Sequence, residues 1–292
     1  MFPIMDYTLQ ELSELVKNAK EISQKDNVNA NAKLFILEKN VVFKMYIPQS
    51  EEYLRNVKNL LLLKKSFELK EIKEIVLPIE LVRLNNKIIG YLMPYVKGQT
   101  LETFLYDSLV DQKNKVEVFR KLARVVSILP NCIYIGDLHM RNVIVSSNFE
   151  IHLIDIDGFS VEDGELLTVP TPLPHISGKY YNNAEVPIIS KNSDIFCVYH
   201  MYMQWIGQGI DILESDYREQ YFSFLSDNNQ CDLLLENLKV LYTCRENIIT
   251  PKVFESPPID HISWENFLKK FLIQEQNENA IHVIESFWRE KE

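Results

Sequence analysis

The chain has 292 residues, 46% of them hydrophobic and 25% charged, the proportions of a folded globular protein with room for two lobes or one large domain. A formal net charge of −10 argues against unspecific nucleic-acid binding, and neither a bilayer-length apolar run nor an N-terminal signal pattern occurs, so no membrane partner is expected. Cys132, Cys197, Cys231 and Cys244 lack metal-ligand spacing and read as reduced thiols, which gives a cytoplasmic expectation.

In chain order, the first clear element is a hairpin. Leu34–Leu37 and Val41–Ile47 are β-rich runs, and Glu38-Lys39-Asn40 turns the chain between them. Lys44 is the only cation inside the second run; such a lysine is either an edge charge facing water or a functional cation. After Pro48, the segment opening Ser50-Glu51-Glu52 and continuing through Leu54, Val57 and Leu60–Leu63 predicts a helix. Ser50 would cap it, and the two acids would complement its dipole. Ile75–Ile79, Leu81–Leu84 and Ile88–Met93 read as further strands, the last two turned at Asn85-Asn86. Tyr91-Leu-Met-Pro-Tyr-Val-Lys-Gly98 ends that series in a Pro/Gly turn. Val116, Phe119, Leu122, Ala123, Val126 and Leu129 recur at helical spacing and stop at Pro130.

The centre of the chain carries the chemistry. Tyr134-Ile-Gly-Asp-Leu-His-Met-Arg-Asn142 is a loop holding Asp137 and, five residues on, Asn142. Val143–Val145, a turn at Ser146-Ser147-Asn148, and a return through Ile151, Leu153 and Ile154 predict a tight hairpin. Its outer ends meet, so Asn142 and Asp155 should lie side by side with Asp137 close by. Two carboxylates and an amide at one point make a hard oxygen site suited to Mg2+ carrying phosphates. Further on, a helix is expected from Ser193, and amphipathic runs around Tyr217–Leu225, Leu233–Leu241 and Trp264–Ile273 read as helices.

This order and spacing resemble the protein-kinase-like superfamily, whose loop H-R-D-x-x-x-x-N precedes a D-F-G aspartate. Gly136-Asp-Leu-His139 is closer to the G-D-L-H loop of aminoglycoside and choline phosphotransferases and of several divergent bacterial kinases. The resemblance implies an α+β, two-lobed fold, with a mainly β lobe over residues 1–96 and a helical lobe over 97–292. It implies ATP and Mg2+ as cofactors, with Lys44 on the nucleotide phosphates and Glu52, in preference to Glu51, as the helix carboxylate that pairs with Lys44. Met93 falls at the gatekeeper position, and the Pro94 carbonyl and Val96 N–H would meet adenine. Asn142 and Asp155 would hold the metal, Asp137 would orient an acceptor hydroxyl, and His139 would face the phosphates. Asp194, near the head of its helix, would brace the catalytic loop, or simply cap its own helix. Thr168-Val-Pro-Thr-Pro172, with Thr171 as the matching position, is similar to the segment with which Ser/Thr kinases hold a peptide. A protein hydroxyl is therefore the expected acceptor, with a small-molecule hydroxyl or a pseudokinase scaffold as alternatives.

Four departures qualify the resemblance. No glycine precedes Gly90, so residues 25–33 cannot form a glycine-rich phosphate loop, although Asn and Ala there still permit a covering turn. Ile135-Gly136 replaces His-Arg, which removes the usual handle for activation by phosphorylation. Asn183-Ala-Glu185 is the nearest match to A-P-E and arrives late. Asp157 replaces the glycine of D-F-G; it either adds a third carboxylate to the metal site or turns the chain ahead of Gly158.

Overall fold

A computed structural model of the chain describes residues 2–22, 32–47, 51–65, 68–161 and 191–206. They form a mixed α and β structure built around a six-stranded sheet. Its strands are β1 (Ile4–Asp6), β2 (Lys20–Glu21), β3 (Ala32–Leu37), β4 (Val41–Tyr46), β5 (Glu80–Leu84) and β6 (Lys87–Pro94), in the spatial order β1-β5-β6-β4-β3-β2.

Both expected hairpins of this sheet are present. A 3-10 turn over Glu38–Asn40 joins β3 to β4, with Asn40 at φ 58°. Leu84 pairs Lys87 across a two-residue turn whose central residues, Asn85 and Asn86, have φ 49° and 63°. Two successive positive φ values define the primed turn that matches strand twist, and asparagine tolerates them. β1 is a strand the sequence reading did not anticipate. It runs parallel to β5 and leads into α1 (Leu9–Lys17), closed by a capping box between Thr8 and Glu11.

Strand period assigns each side chain a face. On β4, Phe43 packs with Leu12 of α1, Val82 and Leu92, while Val42 and Tyr46 join the main core on the other side. Lys44 shares the face of Val42 and Tyr46. β4 lies between β3 and β6, and the Lys44 side chain is only 12% exposed, so it is not an edge charge facing water.

The helix after Pro48 is α2 (Glu51–Leu63), which buries Leu60 and Leu63 but leaves Leu61 on its open side. Ile75–Ile79 is not a strand. Ile75 makes an isolated parallel bridge to Leu153, supported by Val76 N–H to the Leu153 carbonyl (2.9 Å) and Leu153 N–H to the Glu74 carbonyl (2.7 Å). The apolar run is there because Ile75 and Val76 are buried in the core, not because it has a ladder partner on each side.

Beyond β6, β7 (Gln99–Thr100) precedes α3 (Leu101–Tyr106) and α4 (Gln112–Ile128), whose Val116, Phe119, Leu122 and Val126 are buried as the spacing predicts. β8 (Ile133–Tyr134), β9 (Val143–Val145), β10 (Ile151–Leu153) and β11 (Ser160–Val161) follow. β9 and β10 are the expected hairpin, in the register Val143 to Leu153, and β7 adds a third strand against β9. Gly98 permits that approach, since a Cβ there would sit 2.4 Å from the Val145 carbonyl oxygen. The last described helix, α5 (Lys191–Ile206), packs Tyr202 edge-on and Trp205 face-on against Phe119 of α4. No described helix is long and apolar enough to cross a membrane.

Candidate functional site

The sheet face that carries Lys44 meets the end of the β9–β10 hairpin. Lys44 Nζ donates to Asp155 Oδ1 and, at 2.8 Å, to Asp157 Oδ1. The two carboxylates differ sharply. The Asp155 side chain is 36% exposed, and its backbone stands at φ 65°, ψ 40°. A left-handed aspartate is uncommon and costs energy, and such residues collect at functional sites. Asp157 is fully buried. Its Oδ1 also accepts from Tyr91 OH (2.9 Å), and its Oδ2 from Tyr46 OH (2.9 Å) and Asn56 Nδ2 (3.2 Å). Asn59 Nδ2 donates to its carbonyl at 3.3 Å.

A carboxylate offers about four lone-pair positions. Four protein donors meet the two oxygens of Asp157. Both expectations for Asp157, a third carboxylate at a metal site or a turn ahead of Gly158, left out this set of donors. Asp157 is the hub that ties β4, β6 and α2 to the hairpin end.

The loop before the hairpin is held from two sides. Asp194 of α5, 1% exposed, accepts from the consecutive backbone N–H groups of Ile135 (2.7 Å) and Gly136 (2.9 Å). The bracing expectation is met, and plain capping does not describe it. Gly136 has φ 70°, and Asp137 N–H closes the turn onto the Ile135 carbonyl at 2.8 Å. Asn142 Nδ2 donates to the Asp137 carbonyl (3.0 Å), and the Asn142 carbonyl accepts from Ile154 N–H (3.0 Å). The Asp137 carbonyl is thus bonded to Asn142, and the Asn142 carbonyl to Ile154, the residue before Asp155. His139 Nδ1 accepts from Arg141 N–H (3.2 Å), which leaves Nε2 to carry the proton, 3.8 Å from Asp137 Oδ2.

Charge settles the pairing. Burial opposes the Lys44 charge, but Asp155 and Asp157 outweigh it and raise its pKa. Burial also opposes the Asp157 charge, yet Lys44 and the donors from Lys44, Tyr46 and Tyr91 hold it below its ordinary value. At Asp155 burial wins over Lys44, and with the Asp157 charge beside it the carboxyl is pushed up to about 6. Burial and then Asp157 raise the phenols of Tyr46 and Tyr91 well above 10, so both remain donors.

Met93 is buried on β6 opposite Val42, two residues beyond Tyr91 on the same face; Pro94 pairs Val41 and is exposed, and Val96 is half-buried. Tyr95 N–H, between them, donates to the Asn40 carbonyl at 2.7 Å. The side chains of Glu51 and Glu52 lie outside the description, as do Ser50, the 25–31 segment, Thr168–Pro172, Asn183–Glu185 and everything after residue 206. Sequence reasoning missed Tyr46, Tyr91, Asn56 and Asn59. Asn56 and Asn59 did carry a signal, being polar residues spaced like Leu60 and Leu63 on the buried stripe of α2. No known family model matches the chain, and no curated protein sequence is significantly similar to it.

Proposed function

We propose that this chain is an ATP-dependent phosphotransferase with a two-lobed, kinase-like arrangement, transferring the γ-phosphoryl of Mg2+-bound ATP to a hydroxyl, most directly a protein Ser/Thr. One observation carries the reading: Lys44, on a sheet strand, meets Asp155 at the end of a hairpin whose other end holds Asn142 against the Asp137 loop. A strand cation and an aspartate one residue beyond the Asn142–Ile154 backbone bond thus meet from distant parts of the chain, which supports the reading.

The donors present fit the implied metal. Among the described residues no three His, Cys, Asp or Glu side chains cluster as a cage. Asp155 with Asn142 is instead a hard two-oxygen pair, and Mg2+ commonly takes one or two protein carboxylates and fills the rest of its octahedron with phosphate and water. When bound, Mg2+ would neutralise charge on the transferring phosphoryl. The chain's own residues do the positioning. Lys44 holds phosphate oxygens, Asn142 and Asp155 offer the oxygens, and the partly exposed Asp137 receives the acceptor hydroxyl's proton. His139, with its proton on Nε2, donates toward the space beside Asp137. The loop carrying Asp137 is kept rigid by Asp194, which suits a reaction that depends on positioning more than on base strength.

The test is a thermal shift with ATP plus Mg2+ against ATP plus EDTA, followed by transfer of radiolabel from γ-labelled ATP. Metal-dependent stabilisation and label on protein are expected. Label reaching only an added aminoglycoside or amino alcohol would move the acceptor to small molecules. The engagement of Asp155 by Lys44 favours a second reading, a nucleotide-binding scaffold without turnover. Stabilisation by ATP that ignores the metal, with no label transfer, would select it.

A further inference from the structure

Lys44 needs a carboxylate that stays with it when Asp155 turns to other work, and α2 has no acid from Asn56 to its end. Resting on the phosphate role proposed for Lys44, we infer that Asp157 is its permanent positioning residue, and that Asn56 and Asn59 make the docking of α2 part of the same device. A carboxylate for Lys44 is carried by the loop, and the helix supplies amide donors that grip it.

Three observations point this way. Asp157 is sealed from solvent while Asp155 is not, so only Asp155 can exchange Lys44 for an incoming ligand. The donors to Asp157 come from β4, β6 and α2, which fixes its oxygens relative to the sheet that carries Lys44. Asn56 is also placed at a cost. Its Oδ1 is buried and has no hydrogen-bond partner among the described residues, while its Nδ2 faces Asp157. Burying an amide oxygen unpaired is unfavourable, and the gain at this position is the donor that Asp157 receives.

A double-mutant cycle on the full chain tests this, read by calorimetric binding of Mg2+-ATP and, separately, of adenosine. Lys44 addresses only the phosphates. Asp157→Asn should therefore weaken Mg2+-ATP binding at least tenfold and leave adenosine binding within about twofold. The same change made on a Lys44→Met background should have no further effect, because Asp157 acts through Lys44. Unchanged ATP binding, equal loss of ATP and adenosine, or additive losses in the double variant would each overturn the inference. A wild-type chain that binds neither ligand would instead sink the phosphotransferase reading, and the Lys44 role with it. If Asp157→Asn fails to fold, the charge swap Asn56→Asp with Asp157→Asn decides. It returns one carboxylate to the same pocket, within reach of the flexible Lys44 stem. Recovery of Mg2+-ATP binding to within about threefold of wild type supports the inference, and a folded swap variant that binds adenosine but not ATP refutes it.

Discussion

Replacing Asp194 by alanine removes one carboxylate and orphans two backbone donors at once. The N–H groups of Ile135 and Gly136, at 2.7 and 2.9 Å from its oxygens, both belong to buried residues, so water is a poor substitute. Each buried donor left without an acceptor costs about 1–3 kcal/mol, which gives about 2–6 kcal/mol for Asp194→Ala. Loss of an ordinary helix cap costs only about 1 kcal/mol, so magnitude separates the two roles. Asp194→Asn keeps one acceptor oxygen and turns an amide donor on the other N–H, and should fall between at about 1–3 kcal/mol. Urea unfolding followed by tryptophan fluorescence reads these values. With a slope near 3 kcal/mol per molar, alanine lowers the midpoint by about 1–2 M. Asp137 lies directly after Gly136, so label transfer should fall alongside. A midpoint loss worth less than about 1 kcal/mol would show that the loop holds itself and that Asp194 is merely a cap.

Asp155→Asn should abolish metal-dependent ATP stabilisation and label transfer, yet melt higher than wild type in EDTA at pH 7.5. Folding raises that carboxyl from 3.8 to about 6, so the folded state favours its neutral form, which asparagine imitates. The penalty of the native aspartate is absent below pH 4, builds as pH rises from 4 to 6 and is level above, worth about 1–2 kcal/mol after solvent screening of a group one-third exposed. A melting-temperature gap that narrows as pH rises would contradict this. Asp137→Ala should leave calorimetric nucleotide affinity nearly intact and cut turnover about 10²–10⁴-fold, whereas equal loss of both would make Asp137 structural. Gly90→Ala would place a Cβ 2.1 Å from the Lys44 carbonyl oxygen, forcing β4 and β6 apart beside the site. An overpacking cost of about 1–3 kcal/mol follows, and a wild-type melting curve would refute the closeness of that approach.

The parts of this fold that sequence revealed are those with local signals. Asn85-Asn86 specifies its turn through two positive φ values, α4 shows its buried stripe over four turns, and the β9–β10 hairpin brings Asn142 to Asp155 by its own register. The parts it concealed depend on distant packing. β1 is three residues long and takes its strand character from β5, nearly eighty positions away. Ile75–Ile79 has the composition of a strand because it is buried, and burial alone does not supply a ladder. The carboxylates that meet Lys44, Asp155 and Asp157, come from the hairpin end, and periodicity, which places residues on faces, does not say which element crosses which. Residues 44, 56 and 157 meet only in the assembled structure. A clue was present in the two asparagines on the apolar stripe of α2, because polar groups there require a buried partner.

Among the described residues, two backbone links join the six-stranded sheet to the hairpin region. One is the chain passing from β6 through Tyr95 to β7, and the other is the backbone clasp of Glu74 and Val76 on Leu153. The bonds radiating from Asp157 add a further tie of a different kind, made by side chains of β4, β6 and α2. Being side-chain bonds, they can be cut one at a time while the backbone links and the strand ladders stay whole.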